Sequence, residues 1–151
     1  MKKTSGKKPG FSLVELLAVI TIAGILASFA IPAYYSFLQR GYVADATSSL
    51  TRLANQLESS FLDSRNYANA QGQCAVPTDD TSDYFDIQCA ITGQGLNQYL
   101  LSATTTARFD QEKTYVYSLD NNGRRQTRVF INNSETAHHE CWLVSNNGAC
   151  I

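Results

Sequence analysis

The chain has 151 residues, with 12 Lys and Arg against 13 Asp and Glu, a formal net charge of -1. That length suits one modest domain. The near-balance excludes a global field that would draw the protein to nucleic acid or acidic lipid, so any such contact must come from a local patch.

The charge is unevenly placed. Residues 1–10 hold Lys2, Lys3, Lys7 and Lys8 and no acid, and removing those four charges leaves -5 on the remainder. From Phe11 to Gln39 the only charged residue is Glu15, and after Arg40 the chain becomes rich in Asn, Ser, Thr and Gln. This contrast divides the protein into a lipid-compatible stem and a polar head.

The stretch Leu16–Tyr35 reads LLAVITIAGILASFAIPAYY, with only Thr21 and Ser28 as hydroxyl interruptions before the closing tyrosines. A helix of about 20 apolar residues matches the roughly 30 Å hydrocarbon core of a bilayer. A soluble core helix of this length would show a polar face, and none is present. Four lysines ahead of the span predict a cytoplasmic N-terminus and an exported head, with Tyr34 and Tyr35 at the far interface. An ordinary secretory signal is the alternative, and Ala27-Ser28-Phe29-Ala30 offers a small-residue cleavage site. The apolar run is too long for that pattern, and Glu15 sets an acid inside its edge. A carboxylate there carries a desolvation cost that pairing with a cation would offset. The macrodipole at a helix N-terminus also favours an acid. Gly24 and Pro32 weaken the helix between them, and Pro32 predicts a kink.

Gly10-Phe11-Ser12-Leu13-Val14-Glu15 matches the GF[ST]LxE signature of type IV pilins and related pseudopilins. The resemblance runs from about Lys7 to Arg40 and includes Gly24 and Pro32. It implies a prepilin peptidase that cuts between Gly10 and Phe11 on the cytoplasmic side and methylates the new amino group of Phe11. The absent side chain of Gly10 suits close approach by a protease. It further implies that Glu15 meets the N-terminal amine of a neighbouring subunit, setting register during assembly. It also implies loss of helix between Gly24 and Pro32 when subunits pack.

Beyond the span, Val43, Ala46, Leu50, Leu53, Leu57 and Phe61 recur at spacings of three and four, one face of a helix. The helix is expected to continue to about Ser64, roughly 80 Å from Phe11 at 1.5 Å per residue. Its second half lays that stripe on a sheet as ordinary core packing. The expected divisions are a cleaved leader over 1–10, a transmembrane or filament-core half over 11–39, an amphipathic half over 40–64 and a globular head over 65–151.

Asn66, Asn69, Gly72 and Pro77 signal loops. Tyr99–Thr105 is a strand candidate. Thr114–Leu119 and Gln126–Ile131 form a clearer pair across Asp120-Asn121-Asn122-Gly123, whose Asn-Gly favours a tight hairpin. Cys141–Ser145 is a further strand candidate. One long helix followed by three or four short antiparallel strands gives an α+β fold.

Four cysteines lie at 74, 89, 141 and 150, all after the span, where an exported head meets an oxidising compartment. Four permit three connectivities. Cys74–Cys89 and Cys141–Cys150 are preferred because each closes a local loop, and the second resembles the C-terminal disulfide-bounded loop of pilins. A metal site at His138, His139, Glu140 and Cys141 is disfavoured, because adjacent strand residues point to opposite faces. Asp79, Asp80, Asp83 and Asp86 offer oxygens that suit calcium, but no EF-hand pattern frames them, and a solvated acidic loop is preferred.

Arg52-Leu53-Ala54, Glu58, Phe61, Asn66-Tyr67, Tyr117-Ser118-Leu119-Asp120, Gly123 and Cys141-Trp142 together resemble the PilE-type minor pilins. The cysteines at 74 and 89 depart from that pattern. Arg124, Arg125 and Arg128 follow the hairpin turn, and a basic hairpin suits DNA phosphates. A solvated strand face or intersubunit contact is preferred because the head is acidic overall.

No phosphate loop, nucleophile elbow or zinc-hydrolase motif is present, so neither an enzyme nor a cofactor is expected. The expected function is a structural subunit of a type IV pilus, specifically a minor pilin acting in assembly, twitching motility, adhesion or DNA uptake. Its expected partners are other pilins, the prepilin peptidase, the inner-membrane assembly platform and membrane lipid before assembly. The expected location is the inner membrane, single-pass with a periplasmic head, and then the extracellular filament. A type II secretion pseudopilin shares the stem, but four cysteines count against it. A DNA receptor of a competence pilus is the remaining alternative.

Overall fold

The computed structural model describes residues 10–78, 82–93, 95, 97–144 and 148–151. A single helix, α1, spans Leu13–Ser64, and five strands follow: β1 (Phe85–Thr92), β2 (Gln98–Thr105), β3 (Lys113–Asp120), β4 (Arg125–Ile131) and β5 (Ser134–His139). The chain forms two packing units, one ending at Phe37 and one spanning Leu38–Ile151.

In the first unit α1 is apolar and none of its described side chains is buried. It is long and apolar enough to cross a membrane. Its hydroxyls are satisfied within the helix. Thr21 donates to the Leu17 and Ala18 carbonyls at 3.0 and 2.8 Å, Ser28 to Ile25 at 2.7 Å and Ser36 to Ala33 at 2.8 Å. Such back-bonding makes a hydroxyl tolerable in hydrocarbon, where an unpaired polar group is costly. Pro32 lies inside α1 and removes the amide that would otherwise bond the Ser28 carbonyl.

The second unit contains a five-stranded antiparallel meander, with order β1-β2-β3-β4-β5. Period-two alternation gives the sheet one buried face, formed by Phe85 and Ile87, Tyr99, Leu101 and Ala103, Tyr115, Tyr117 and Leu119, and Thr127 and Val129. Against it lie Val43, Ala46, Leu50, Leu53, Ala54 and Leu57 of α1. The expected helical stripe is therefore the helix side of the core, with Phe61 at its half-buried margin. The architecture is the expected α+β arrangement of one long helix packed on an antiparallel sheet.

The helix stops after Ser64, where Arg65 adopts φ 59° and its amide donates to the Phe61 carbonyl at 2.8 Å. This single bond to a carbonyl near the helix end is the left-handed C-terminal cap. Nearby, Glu58 accepts hydrogen bonds from the hydroxyls of Tyr67 (3.0 Å) and Tyr99 (3.2 Å), tying helix, post-helix loop and sheet together.

Three details differ from the sequence reading. The sheet has five strands, because β1 and β5 add to the three recognised. β1 carries alternating Phe85, Ile87, Cys89 and Ile91, a usable signal interrupted by polar Asp86 and Gln88 facing out. β5, Ser134–His139, is an almost wholly polar edge strand and so lacks an apolar alternation. It is set by Asn132 and Asn133, both at positive φ (50° and 62°), between the paired Ile131 and Ser134. A two-residue hairpin turn with positive φ at both positions favours Asn. Lastly, the stretch expected as a strand at Cys141–Ser145 makes only an isolated bridge, Leu143 to Cys150, and Ser145 lies outside the described residues.

Candidate functional site

The first candidate is the start of α1. Ser12 precedes the helix, and its hydroxyl accepts from the Val14 amide at 3.3 Å. Glu15 reaches back, its Oε2 accepting from the Ser12 amide at 3.3 Å. This Ser-x-x-Glu arrangement is an N-cap close to a capping box, with the hydroxyl on the second helical amide rather than the third, and it satisfies two amides that the helix itself leaves unpaired. The motif was legible in the sequence and gives Glu15 a local role independent of any neighbour. Gly10 and Phe11 lie just ahead, exposed. Lys2, Lys3, Lys7 and Lys8 fall outside the described residues.

The second candidate is the β3–β4 hairpin with the C-terminal segment. The Asp120 carbonyl accepts from the Gly123 amide at 3.0 Å, and its carboxylate accepts from the amides of Asn122 and Arg124, both at 2.9 Å. Gly123 takes φ 75°, the left-handed conformation that glycine adopts without steric cost. The hairpin is thus closed by a three-residue loop over Asn121, Asn122 and Gly123 rather than by an Asn-Gly pair alone.

The three arginines do not converge. Arg124 stands in the turn, ahead of β4, with its Nε 3.9 Å from an Asp120 carboxylate oxygen. Arg124 therefore lies off the strand, and by period two it is Gln126 and Arg128 that share one face of β4. Arg128 projects from the face away from α1, across from Val116 and His138, with its guanidinium 5.9 Å from the Phe130 ring. Arg125 is on the other face, its guanidinium 4.7 Å from the ring centre of Trp142. A cation over an indole face is attracted by the ring quadrupole.

Trp142 is held from several sides. Its indole N–H donates to the Ser118 carbonyl at 2.9 Å, and the residue is only 3 % exposed. The fully buried Thr127 hydroxyl donates to the Cys141 carbonyl at 2.8 Å and accepts from the Leu143 amide at 3.0 Å, pinning the residues on both sides. Trp142 and Ile151 exchange backbone hydrogen bonds at 2.9 and 3.3 Å, and Cys141 is bonded to Cys150. Cys74 is bonded to Cys89, linking the loop after α1 to β1.

The other expected clusters are dispersed. Asp83 pairs with Arg108 at 2.7 Å, and the Asp86 carboxylate accepts from Nε2 of the Gln88 side chain at 2.8 Å, while Asp79 and Asp80 lie outside the described residues. His138 is 3.9 Å from Glu135. Among the described residues, no three His, Cys, Asp or Glu side chains gather as metal ligands. Sequence reasoning missed the Arg125–Trp142 stack and the Thr127 bridge. Neither has a local signature, since each joins residues well separated along the chain.

Comparison with known proteins adds two family matches. Residues 6–31 match the prokaryotic N-terminal methylation motif. Residues 32–127 match the family described as type IV minor pilin ComP, DNA uptake sequence receptor. Among curated relatives, a fimbrial protein of Pseudomonas aeruginosa is 34% identical over 90 residues, covering 59% of this chain and 56% of that protein. A type IV major fimbrial protein FimA of Dichelobacter nodosus is 32% identical over 106 residues, 70% of this chain and 57% of that protein. A fimbrial protein of Moraxella nonliquefaciens is 40% identical over 86 residues, 56% of this chain and 49% of that protein. The chain spans about half the length of the curated relatives it matches. No solved structure matches it.

Proposed function

The chain belongs to the type IV pilin family, and from that premise we propose that it is a minor subunit of a type IV pilus. The observation that carries this reading is the match of residues 32–127 to a minor-pilin family, which reaches past the shared stem into the head. The prepilin peptidase removes residues 1–10 and methylates Phe11. The apolar half of α1 anchors the subunit in the inner membrane with the N-terminus cytoplasmic, and later packs among other stems in the filament. Glu15 then pairs with the amine of a neighbouring Phe11, while Gly24 and Pro32 let the stem bend. The assembly platform and its motor supply the work. Two measurements test this. Intact mass of the membrane-extracted protein is expected to show loss of residues 1–10 plus one methyl group. In sheared filaments the protein is expected as a trace component; a dominant band would identify a major subunit instead.

The second reading is DNA capture by the head. The description of the matching family supports it, as do three arginines around one hairpin. The acidic balance of the head opposes general polyanion binding, so the contact would be local and salt-sensitive. A type II secretion pseudopilin is the weaker alternative, since the head match and the paired cysteines both point away from it.

A further inference from the structure

We propose that Trp142 is a positioning residue for a DNA contact made by Arg125, so that the C-terminal disulfide loop sets where a phosphate-binding cation stands. The inference deepens the DNA reading above and rests on it. Three observations carry it.

First, Arg125 is exposed, and no carboxylate pairs with it among the described residues, whereas Arg124 shares Asp120 and Arg108 shares Asp83. Second, the guanidinium lies over the indole at 4.7 Å. Stacking uses the face of a guanidinium and leaves N–H groups at its edge, the geometry that meets phosphate oxygens in a bidentate fork. Third, the platform is fixed. The indole N–H is bonded to the Ser118 carbonyl, the backbone of Trp142 to Ile151, the flanking Cys141 and Leu143 to the Thr127 hydroxyl, and Cys141 to Cys150. A cation held on a fixed ring loses less rotamer freedom when it binds, so more of the contact energy appears as affinity.

The alternative role for the pair is core packing, in which the arginine stem only covers the indole. The two roles differ in what the tryptophan does for binding. Trp142 is the only tryptophan in the chain, so its fluorescence reports this platform alone.

The test uses the full-length processed chain in detergent and a mixed-sequence double-stranded oligonucleotide. Wild type is expected to bind with a salt-dependent affinity and to change its tryptophan emission on DNA addition. Arg125→Gln is expected to lower the slope of log K against log salt by about 0.9, one phosphate contact, and to shrink the emission change. Trp142→Leu, folded by circular dichroism, is expected to lower the slope by the same amount. Combining it with Arg125→Gln then lowers it no further. Trp142→Phe retains an aromatic face and is expected to restore the wild-type slope. A Trp142→Leu slope equal to wild type, or additive losses in the double variant, would overturn the positioning role. If Trp142→Leu does not fold, an unaltered slope or emission change in Arg125→Gln overturns it instead. Absence of DNA binding by wild type removes the DNA reading and this inference together. Binding that survives Arg125→Gln unchanged removes only the inference.

Discussion

Glu15 combines two roles that substitution can separate. It caps α1 through the Ser12 amide, and it supplies the negative charge proposed to meet a neighbouring Phe11 amine. Glu15→Gln keeps an oxygen that accepts from Ser12 but carries no charge. This variant is expected to insert and be cleaved normally while its amount in filaments falls about tenfold or more, equivalent to at least about 1.4 kcal/mol. Filament incorporation equal to wild type would show that capping alone accounts for the residue. Glu15→Ala removes the cap as well and is expected to fray the first turn of α1. Two tyrosines give a second residue-scale prediction. Burial, with Glu58 nearby, pushes the Tyr99 hydroxyl well above its ordinary value, and burial does the same for Tyr117. A group whose pKa is raised on folding contributes stability that is intact below its unfolded value, about 10 for tyrosine. That stability is lost as pH rises beyond this point. Denaturant midpoints are therefore expected to be flat with respect to these tyrosines up to about pH 10 and to fall above it. Ultraviolet titration of the folded chain should show fewer phenolates than the unfolded chain at the same alkaline pH. Equal phenolate counts in the two states would contradict the burial argument.

At the scale of elements, the two disulfides act on different parts of the head. Cys74–Cys89 closes a separation of 15 residues and fastens the post-helix loop to β1, an edge strand. A loop of that size restricts the unfolded chain by about 3 kcal/mol in the chain-entropy account. Replacing both cysteines by serine is expected to lower stability by about 2–4 kcal/mol, read as a shift in denaturant midpoint under oxidising conditions. An unchanged midpoint would assign the bridge a role other than stability. The legibility of the elements follows their physics. The second half of α1 announces itself because six apolar residues keep a helical period, and its end near Ser64 follows from the loss of that period. β2, β3 and β4 alternate cleanly because one face is buried. β5 is polar, and its only signal is the Asn132-Asn133 turn, which specifies geometry without specifying a strand. The Arg125–Trp142 stack lies beyond sequence periodicity altogether, since a cation and a ring meet only after the C-terminal segment docks beside β4. The Ser12–Glu15 cap is readable from spacing alone, because both of its hydrogen bonds lie within one helical turn.

For the whole molecule, the stem announces family membership and the head carries whatever distinguishes this subunit from others. The apolar run, its single acid and the motif around Gly10 and Phe11 were all readable because each is a short contiguous pattern in the sequence. The role of the head depends on where surface arginines, rings and loops end up, which only the folded chain displays. The strictly sequential order of the sheet has a consequence for how that folded chain is reached. Each strand pairs with its immediate neighbour in sequence, so no β pairing waits for a distant segment. Topologies rich in near-neighbour pairings fold faster than those built on remote ones. A chain whose segments become available from the N-terminus onward can zip its hairpins in order of appearance. Both cysteine pairs lie close together along the chain, so oxidation follows the same sequence, and the opportunity for crossed pairing between the two bridges is brief.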